Sequence, residues 1–380
     1  MENQKKHLII VAGEASGDDR AAELIAELKK GGPHFTFSGL GGQKMAQQGV
    51  KIYFDLATIA VVGFVEVIKH LKTIKKAFRL ILEKIDEQKP AAVILVDYPG
   101  FNLRLAKELK KRNVKVIYYV SPQVWAWNAK RIELIKNVVD KMIVFFKFEE
   151  TLYTRHGYSV DFVGHPLIDR VKVNTEKNTF LKEIGLSDVY RTIGLLPGSR
   201  EKEVQKIFPI MLAAAQLLYQ RNPELQFLAF RAPTIDQDIF DQYIKKFSLP
   251  IKIVSEKTYD GINACDFCLV ASGTATLETA ILMKPMIVVY KTSLLTWALA
   301  KALIKIPNIG LVNIVAGKKI VPECVQLDAT PQAIAYQAIG LLSSEEKMEE
   351  IRHTLGEVKN ALGTPGASAR AAEKILAFIA

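Results

Sequence analysis

Short apolar runs alternate along this chain with stretches whose apolar residues recur at helical spacing. In the first half HLIIVAG, AAVILVDY and VKVIYYV read as strands, with helices expected over 18–30 and 103–112. In the second half RTIGLLPG, LQFLAF, IKIVS, DFCLVAS and PMIVVY read as strands, with helices over 204–220 and 274–282. This rhythm predicts parallel sheets joined by crossover helices. Around 164–178 the text GHPLIDRVKVNTEKN loses its apolar periodicity and turns polar, as an interdomain connection does. The expected fold class is α/β, with two doubly wound Rossmann-like domains facing across a cleft. The expected divisions are 1–170, 171–350, and C-terminal helices in 351–380 free to pack back on the N-terminal domain. The last of these, 367–380, is amphipathic, and no internal repeat or low-complexity tract appears.

With 380 residues, 49% hydrophobic and 24% charged, the chain has the makeup of a packed two-domain protein. Its formal charge of +11 points to an anionic partner: nucleic acid, an anionic membrane surface or a phosphorylated substrate. Three cysteines without a framework spacing argue against a disulfide scaffold and for a reducing compartment. Cys265 and Cys268 form a C-x-x-C inside an apolar run, with no second pair at zinc spacing, so a core role is expected and no metal site. The apolar run before Gly13 is too short for a signal peptide, and no later stretch reaches the ~18 uncharged residues of a membrane span. A cytoplasmic, non-integral protein is expected.

Open parallel sheets bind ligands beyond the carboxyl ends of their strands, so polar and glycine-rich residues directly after apolar runs are the candidates. Four such places stand out. AGEASGDD brings Gly13 and Gly17 after the first strand, with Ser16 or Asp18 placed to cap the next helix, and reads either as a ligand loop or as an ordinary turn. In VDYPGFN, Asp97 is either a general base at the rim of a cleft or a cap for a helix beginning near Asn102. LLPGSREKEV sets Ser199 and Arg200 at a helix start, and reads either as a cradle for a diphosphate or as a turn with a solvated arginine. ASGTATLETA repeats the arrangement with Ser272, Gly273 and Thr274, and Glu278, one turn on, is either a ligand for a ribose hydroxyl or an exposed helix-face carboxylate.

A glycosidase needs two carboxylates, because its leaving alcohol must be protonated. A nucleoside diphosphate leaves once its developing charge is neutralised. One carboxylate in the first half and two phosphate-type turns in the second therefore suggest a nucleotide-sugar transferase with its site between domains. The stretch 60–85 sets Val62, Phe64, Val65, Val67 and Ile68 beside Lys69, Lys72 and further basic residues, and reads either as an interfacial helix on anionic lipid or as an amphipathic helix facing its own core. Trp125 and Trp127 lie near Lys130 and Arg131, but no nucleic-acid module is visible and the positive charge is scattered, so no nucleic-acid partner is expected.

Laid side by side, these segments make the chain resemble the lipid-A-disaccharide synthase family. The motifs are AGEASGD, GLGG, VVGFVEV, VDYPGFN, YVSPQVWAW, VGHP, LLPGSRxxE, ASGTATLE and PNIGLVNIVAGKKIVPE, in order over most of the chain. The phosphate turns among them are generic, whereas SPQVWAW and NIVAGKKIVPE are specific. The resemblance implies a metal-independent, inverting glycosyltransferase of the GT-B type at the cytoplasmic face of a Gram-negative inner membrane, with no cofactor. It implies UDP-2,3-diacylglucosamine as donor and 2,3-diacylglucosamine 1-phosphate as acceptor, joined β(1→6) with release of UDP. It places the base on Asp97 and UDP contacts on Ser199, Arg200, Glu203, Ser272, Gly273, Thr274, Glu278, Asn313 and Gln326. The acceptor side falls on Gly13, Glu14, Ser16 and Gly17. Members of this family often pair as homodimers by exchanging C-terminal segments, which leaves a homodimer open here. Other readings of the same residues are another UDP-sugar enzyme of this architecture, such as an N-acetylglucosaminyltransferase or a UDP-GlcNAc 2-epimerase, and a noncatalytic nucleotide-binding protein at a membrane surface.

Overall fold

The structure is a computed structural model that describes residues 6–31, 35–57, 71–127, 130–293, 297 and 307–380. The chain divides into two compact units, one made of 1–166 with 364–380 and the other of 167–363. The division falls after Pro166, a few residues before Val171. The returning segment begins at Thr364, not at 351: the helix Glu345–Ala361 stays with the second unit, and only Ala367–Ile379 joins the first.

The first unit is built on a seven-stranded sheet: β1 (Lys6–Ala12), β2 (Phe35–Gly41), β3 (Lys51–Asp55), β4 (Ala92–Val96), β5 (Val116–Tyr119), β6 (Lys141–Val144) and β7 (Asp161–Phe162). Every pairing is parallel, in the order β3-β2-β1-β4-β5-β6-β7. Both faces are covered, as an all-parallel sheet requires. Successive side chains of β1 and β4 alternate between the two cores: Ile9, Val11, Val93 and Leu95 face one side, Leu8, Ile10, Ile94 and Val96 the other. On the second side the helix Ala15–Lys30 supplies Ala21, Leu24, Ile25 and Leu28, and the C-terminal helix adds Ala371, Ala372, Ile375 and Ile379. Lys6 Nζ donates to the carbonyl of Ile379 (2.7 Å), and Arg370 donates to the carbonyl of Val163 through Nε and Nη2 (2.9 and 2.7 Å).

The second unit carries β8 (Arg191–Leu196), β9 (Leu225–Phe230), β10 (Ile251–Val254), β11 (Phe267–Ala271), β12 (Met286–Tyr290) and β13 (Glu323–Val325) in the all-parallel order β10-β9-β8-β11-β12-β13. Cys265 and Cys268 are fully buried, and their sulfurs pack where a side chain on Gly194 would sit, 2.9 and 3.0 Å from its Cβ position.

Strand order reverses between β1 and β4 in one sheet and between β8 and β11 in the other. Ligands of such sheets bind at the crevice opened by that reversal. The loops that follow these four strands are AGEASGD, VDYPGFN, LLPGSR and ASGTATLE.

Candidate active site

In the first unit β4 ends at Val96 and the helix Pro99–Lys111 begins three residues later. The chain makes that turn through two successive left-handed residues, Asp97 (φ 50°) and Tyr98 (φ 44°). Each such residue costs about 1–3 kcal/mol when it is not glycine, so the surroundings must hold the turn. The Asp97 N–H donates to the Tyr119 carbonyl (3.1 Å). The Asp97 carbonyl accepts from the Tyr118 hydroxyl (2.6 Å) and from Asn102 Nδ2 (2.8 Å), which also reaches the Val96 carbonyl (3.1 Å). The Tyr98 ring lies on Gly13: a Cβ there would stand 2.1 Å from Tyr98 Cδ1 and 2.8 Å from Tyr98 Cβ. Glycine in AGEASGD is thus dictated by tyrosine in VDYPGFN.

Tyr98, not Asp97, occupies the N-cap position of the helix, which disposes of the capping role for Asp97. Its carboxylate instead lines a cavity of about 360 Å³ with Glu14, Pro99, Pro122, Gln123 and Arg131. Arg20 Nη1 stands 3.7 Å from Asp97 Oδ2, and the same guanidinium lies over the Phe145 ring at 5.6 Å. The side chain of Asp97 keeps 30% of its surface accessible through the cavity, yet crowding by protein is still the leading influence on it. Burial raises the Asp97 pKa, while the charge of Arg20 and the Tyr98 N–H pull it back.

Of the other first-loop residues, Ser16 is exposed in the first turn of its helix and Gly17 is buried, and neither lines the cavity. The expected cap of that helix by Ser16 or Asp18 is absent. Its N-cap is Glu14, and Asp18 instead accepts from the N–H groups of Gly42 (2.7 Å), Lys44 (2.9 Å) and Met45 (3.2 Å), capping the helix Gln43–Gln47. A Cβ on Gly42 would stand 2.8 Å from Asp18 Oδ2, which accounts for the last glycine of GLGG. Behind the turn, Glu149 is buried and accepts from Trp125 Nε1 and the Phe146 N–H, both at 3.3 Å. Burial pushes its pKa up to about 8.

The second unit holds a cavity of about 650 Å³ where β8 and β11 diverge. Ser199, Arg200 and Glu203 line it from one loop, and Ser272, Gly273, Thr274 and Glu278 from the other. Gly198 has φ 112°, and a Cβ there would meet Glu203 Oε2 at 2.3 Å, so the carboxylate lies against the turn. Burial raises the Glu203 pKa, opposed by Arg200 and by the Ser199 and Arg200 N–H groups. Burial also raises that of Glu278, which accepts from the Tyr259 hydroxyl at 3.3 Å. The Ser199 carbonyl accepts from Thr234 Oγ1 (2.9 Å), and Ser272 Oγ donates to the Ile309 carbonyl (3.0 Å), fixing both loops.

Two expected contacts do not line this cavity. Asn313 is fully buried: Nδ2 donates to the Val321 carbonyl (3.0 Å) and the Glu323 carboxylate (2.8 Å), and Oδ1 accepts from the N–H groups of Ile320 (2.8 Å) and Val321 (3.1 Å). Gln326 exchanges two bonds with the backbone of Thr292, at 3.0 and 3.1 Å. Both amides are occupied internally, so they act as staples. Conversely Phe230, Arg231, Lys257 and Tyr259 line the cavity although no motif named them. Phe230 ends β9, Arg231 follows it, and Lys257 and Tyr259 follow β10, where the strand-end rule would have found them. Arg231 is aimed by Ser255 Oγ (3.0 Å) and the Ile235 carbonyl (2.6 Å).

Of the expected membrane contacts, Val62, Phe64, Val65, Val67, Ile68 and Lys69 lie outside the described residues. Lys72 is exposed on the helix Leu71–Gln88, which turns Ala77, Ile81 and Ile85 to the core and sets Phe78 edge-on to Phe101 at 5.3 Å. From residue 71 onward the stretch is an amphipathic helix with one face on the core and Lys72, Lys75, Lys76 and Arg79 on the exposed one. Among the described residues no helix is long and apolar enough to cross a membrane.

A family model described as Lipid-A-disaccharide synthetase matches residues 8–377. This chain belongs to that family. The lipid-A-disaccharide synthase of Nitrosococcus oceani is 42% identical over 379 residues, covering 100% of this chain and 98% of its own. That of Geobacter sulfurreducens is 40% identical over 378 residues, again covering 100% and 98%. The chain is accordingly a glycosyltransferase of lipid A disaccharide formation, as its motifs implied. Its fold is shared more widely. A glycotransferase of kitacinnamycin superposes with TM-score 0.66 at 12% identity, covering 98% of each chain. The UDP-GlcNAc 2-epimerase of Neisseria meningitidis, solved with UDP-GlcNAc, gives 0.64 at 16% identity, covering 98% of this chain and 100% of its own. At such identities the likeness concerns the GT-B architecture alone.

Proposed function

We propose that the chain transfers 2,3-diacylglucosamine from UDP-2,3-diacylglucosamine to the 6-hydroxyl of 2,3-diacylglucosamine 1-phosphate. The products are the β(1→6) disaccharide 1-phosphate and UDP. The observation that carries this reading is Asp97: a carboxylate at a cavity, fixed by a strained turn, next to one arginine and with its proton affinity raised by burial. In the reaction it accepts the O6 proton as O6 forms its bond to the donor's anomeric carbon. The bond from that carbon to the diphosphate breaks, the electron pair leaves with UDP, and configuration inverts. Arg200, with backbone N–H groups of the Ser199 and Ser272–Thr274 loops, neutralises the charge that develops on the diphosphate. Glu278 takes a ribose hydroxyl, and Arg231 and Lys257 supply further positive charge. Asn313 and Gln326 act by shaping the loops around the donor.

Two acyl chains on each substrate call for an enzyme working at a lipid surface. We read the exposed Lys72, Lys75, Lys76 and Arg79, together with the apolar residues of 60–70, as its contact with the anionic inner membrane at the cytoplasmic face. A homodimer is compatible with this reading.

The test is turnover of the two acylated substrates in mixed micelles by the parent and by Asp97→Asn, following UDP and disaccharide. Product from the parent and a loss of roughly two or more decades in the variant support the assignment. A folded parent that makes no disaccharide but interconverts water-soluble UDP-N-acetylglucosamine would instead be an epimerase.

A further inference from the structure

The cavity around Asp97 has a charge pattern that the transfer reaction leaves unused. Two carboxylates, Glu14 and Asp97, line it together with the neutral Pro99, Pro122 and Gln123, and Arg131 is the cation on its wall. Arg20 is also close, but it is committed to Asp97 Oδ2 and to the face of Phe145. Arg131 is exposed at the start of the helix Lys130–Val138, and among the described residues it has no ion-pair partner. Its charge is felt at Tyr118, whose hydroxyl holds the Asp97 carbonyl, so it lies within electrostatic range of the turn that presents the base.

We propose that Arg131 binds the phosphate monoester of the acceptor, and so orients the sugar with its 6-hydroxyl on Asp97. This rests on the acceptor assignment above. Among the residues lining this cavity a phosphate dianion is repelled by Glu14 and Asp97 and drawn to Arg131, whose guanidinium offers a fork of N–H donors matched to phosphate oxygens. In a glucopyranose C1 and C5 both flank the ring oxygen, so the anomeric phosphate and the 6-hydroxyl lie along one edge of the sugar, and a base and a phosphate ligand that line one sugar-sized cavity reach both. Arg131 is then a specificity residue: it selects a sugar that already carries its anomeric phosphate. The reaction supplying this acceptor must therefore leave the phosphate in place.

The test compares kcat/KM for 2,3-diacylglucosamine 1-phosphate with that for the same sugar lacking phosphate, in the full chain and in Arg131→Ala and Arg131→Lys. The preference of the parent for the phosphorylated sugar should fall by roughly tenfold to a hundredfold in Arg131→Ala and less in Arg131→Lys, with the donor KM unmoved. Equal losses on both acceptors, an unchanged preference in Arg131→Ala, or a parent with no preference would each overturn the proposal. Phosphorus NMR of the acceptor titrated with protein in micelles separates this from failure of the transferase reading. A parent that binds the phosphorylated sugar without forming disaccharide, and loses that binding in Arg131→Ala, leaves the Arg131 site standing and the catalytic reading refuted. Absence of binding by the parent removes the site.

Discussion

Replacing Gly13 by alanine probes the link between the first loop and the base. The added Cβ would stand 2.1 Å from Tyr98 Cδ1, 2.3 Å from Cγ and 2.8 Å from Cβ. Since the clash reaches the tyrosine's own Cβ, a rotamer change cannot relieve it, and the residue must retreat by more than ~1 Å to reach ordinary contact. Tyr98 is bonded directly to Asp97, and both already occupy left-handed backbone. Overpacking of this kind costs about 1–3 kcal/mol, and a displacement of ~1 Å at a reacting group costs about a hundredfold in rate. Gly13→Ala should therefore lower the urea midpoint and depress kcat by about two decades, with the donor KM little changed. Tyr98→Ala will itself destabilise, but in the double variant the two costs should fall short of their sum by ~0.5–3 kcal/mol, because removing the ring removes the contacts at Cδ1 and Cγ and leaves only the one at Cβ. Strict additivity, or a Gly13→Ala protein with parental stability and rate, would refute the account of why this loop and this turn are coupled.

Three further outcomes are expected. Arg20→Ala removes the charge that holds the Asp97 pKa down, so burial acts unopposed and the acid limb of the kcat/KM profile should move to higher pH; a shift to lower pH contradicts the base assignment. Asn313→Ala strands the bonding partners of a fully buried amide and should cost roughly 2–4 kcal/mol in urea unfolding, with Asn313→Asp worse because it sets a carboxylate against Glu323; weaker UDP binding at unchanged stability would make Asn313 a direct ligand contact after all. Glu149 has its folded pKa raised to about 8, above its unfolded value, so the stability it contributes is complete below the unfolded pKa and lost as pH rises through about 8. The parent's stability should therefore fall relative to Glu149→Gln across that window, whereas parallel stability curves would contradict it.

The central strands were legible because β1, β4, β5, β8, β9, β11 and β12 are almost wholly buried and wrote themselves as unbroken apolar runs. The edge strands β3, β7 and β13 did not, since a strand of two to five residues with one covered face leaves Lys51, Asp55, Asp161 or Glu323 in the text. At the candidate site, the rule that ligand loops follow strand ends led to loops of both cavities and to six residues that line the second: Ser199, Arg200, Ser272, Gly273, Thr274 and Glu278. The resemblance added Glu203, which lines it too, and Asn313 and Gln326, which do not, because a polar residue in a specific motif looks the same whether its hydrogen bonds go to a ligand or to a neighbouring loop. Only the partners decide, and here they are Val321, Glu323 and Thr292. The left-handed pair at Asp97 and Tyr98 was not legible, since aspartate visits that region only somewhat more often than other residues and tyrosine has no such preference.

The helix Ala367–Ile379, which completes the first unit, is made only after the whole second unit. During synthesis, Ala21, Leu24, Ile25 and Leu28 can meet the sheet at Leu8, Ile10 and Ile94, but they lack the cover of Ala371, Ala372, Ile375 and Ile379 until those leave the ribosome. At the usual pace of ~5–20 residues per second, translation of the whole intervening unit takes about 10–40 s. The first unit waits through that interval for its last helix. A ribosome stalled anywhere within 167–363 therefore holds out a nascent domain with one greasy helix partly uncovered, a substrate for chaperones.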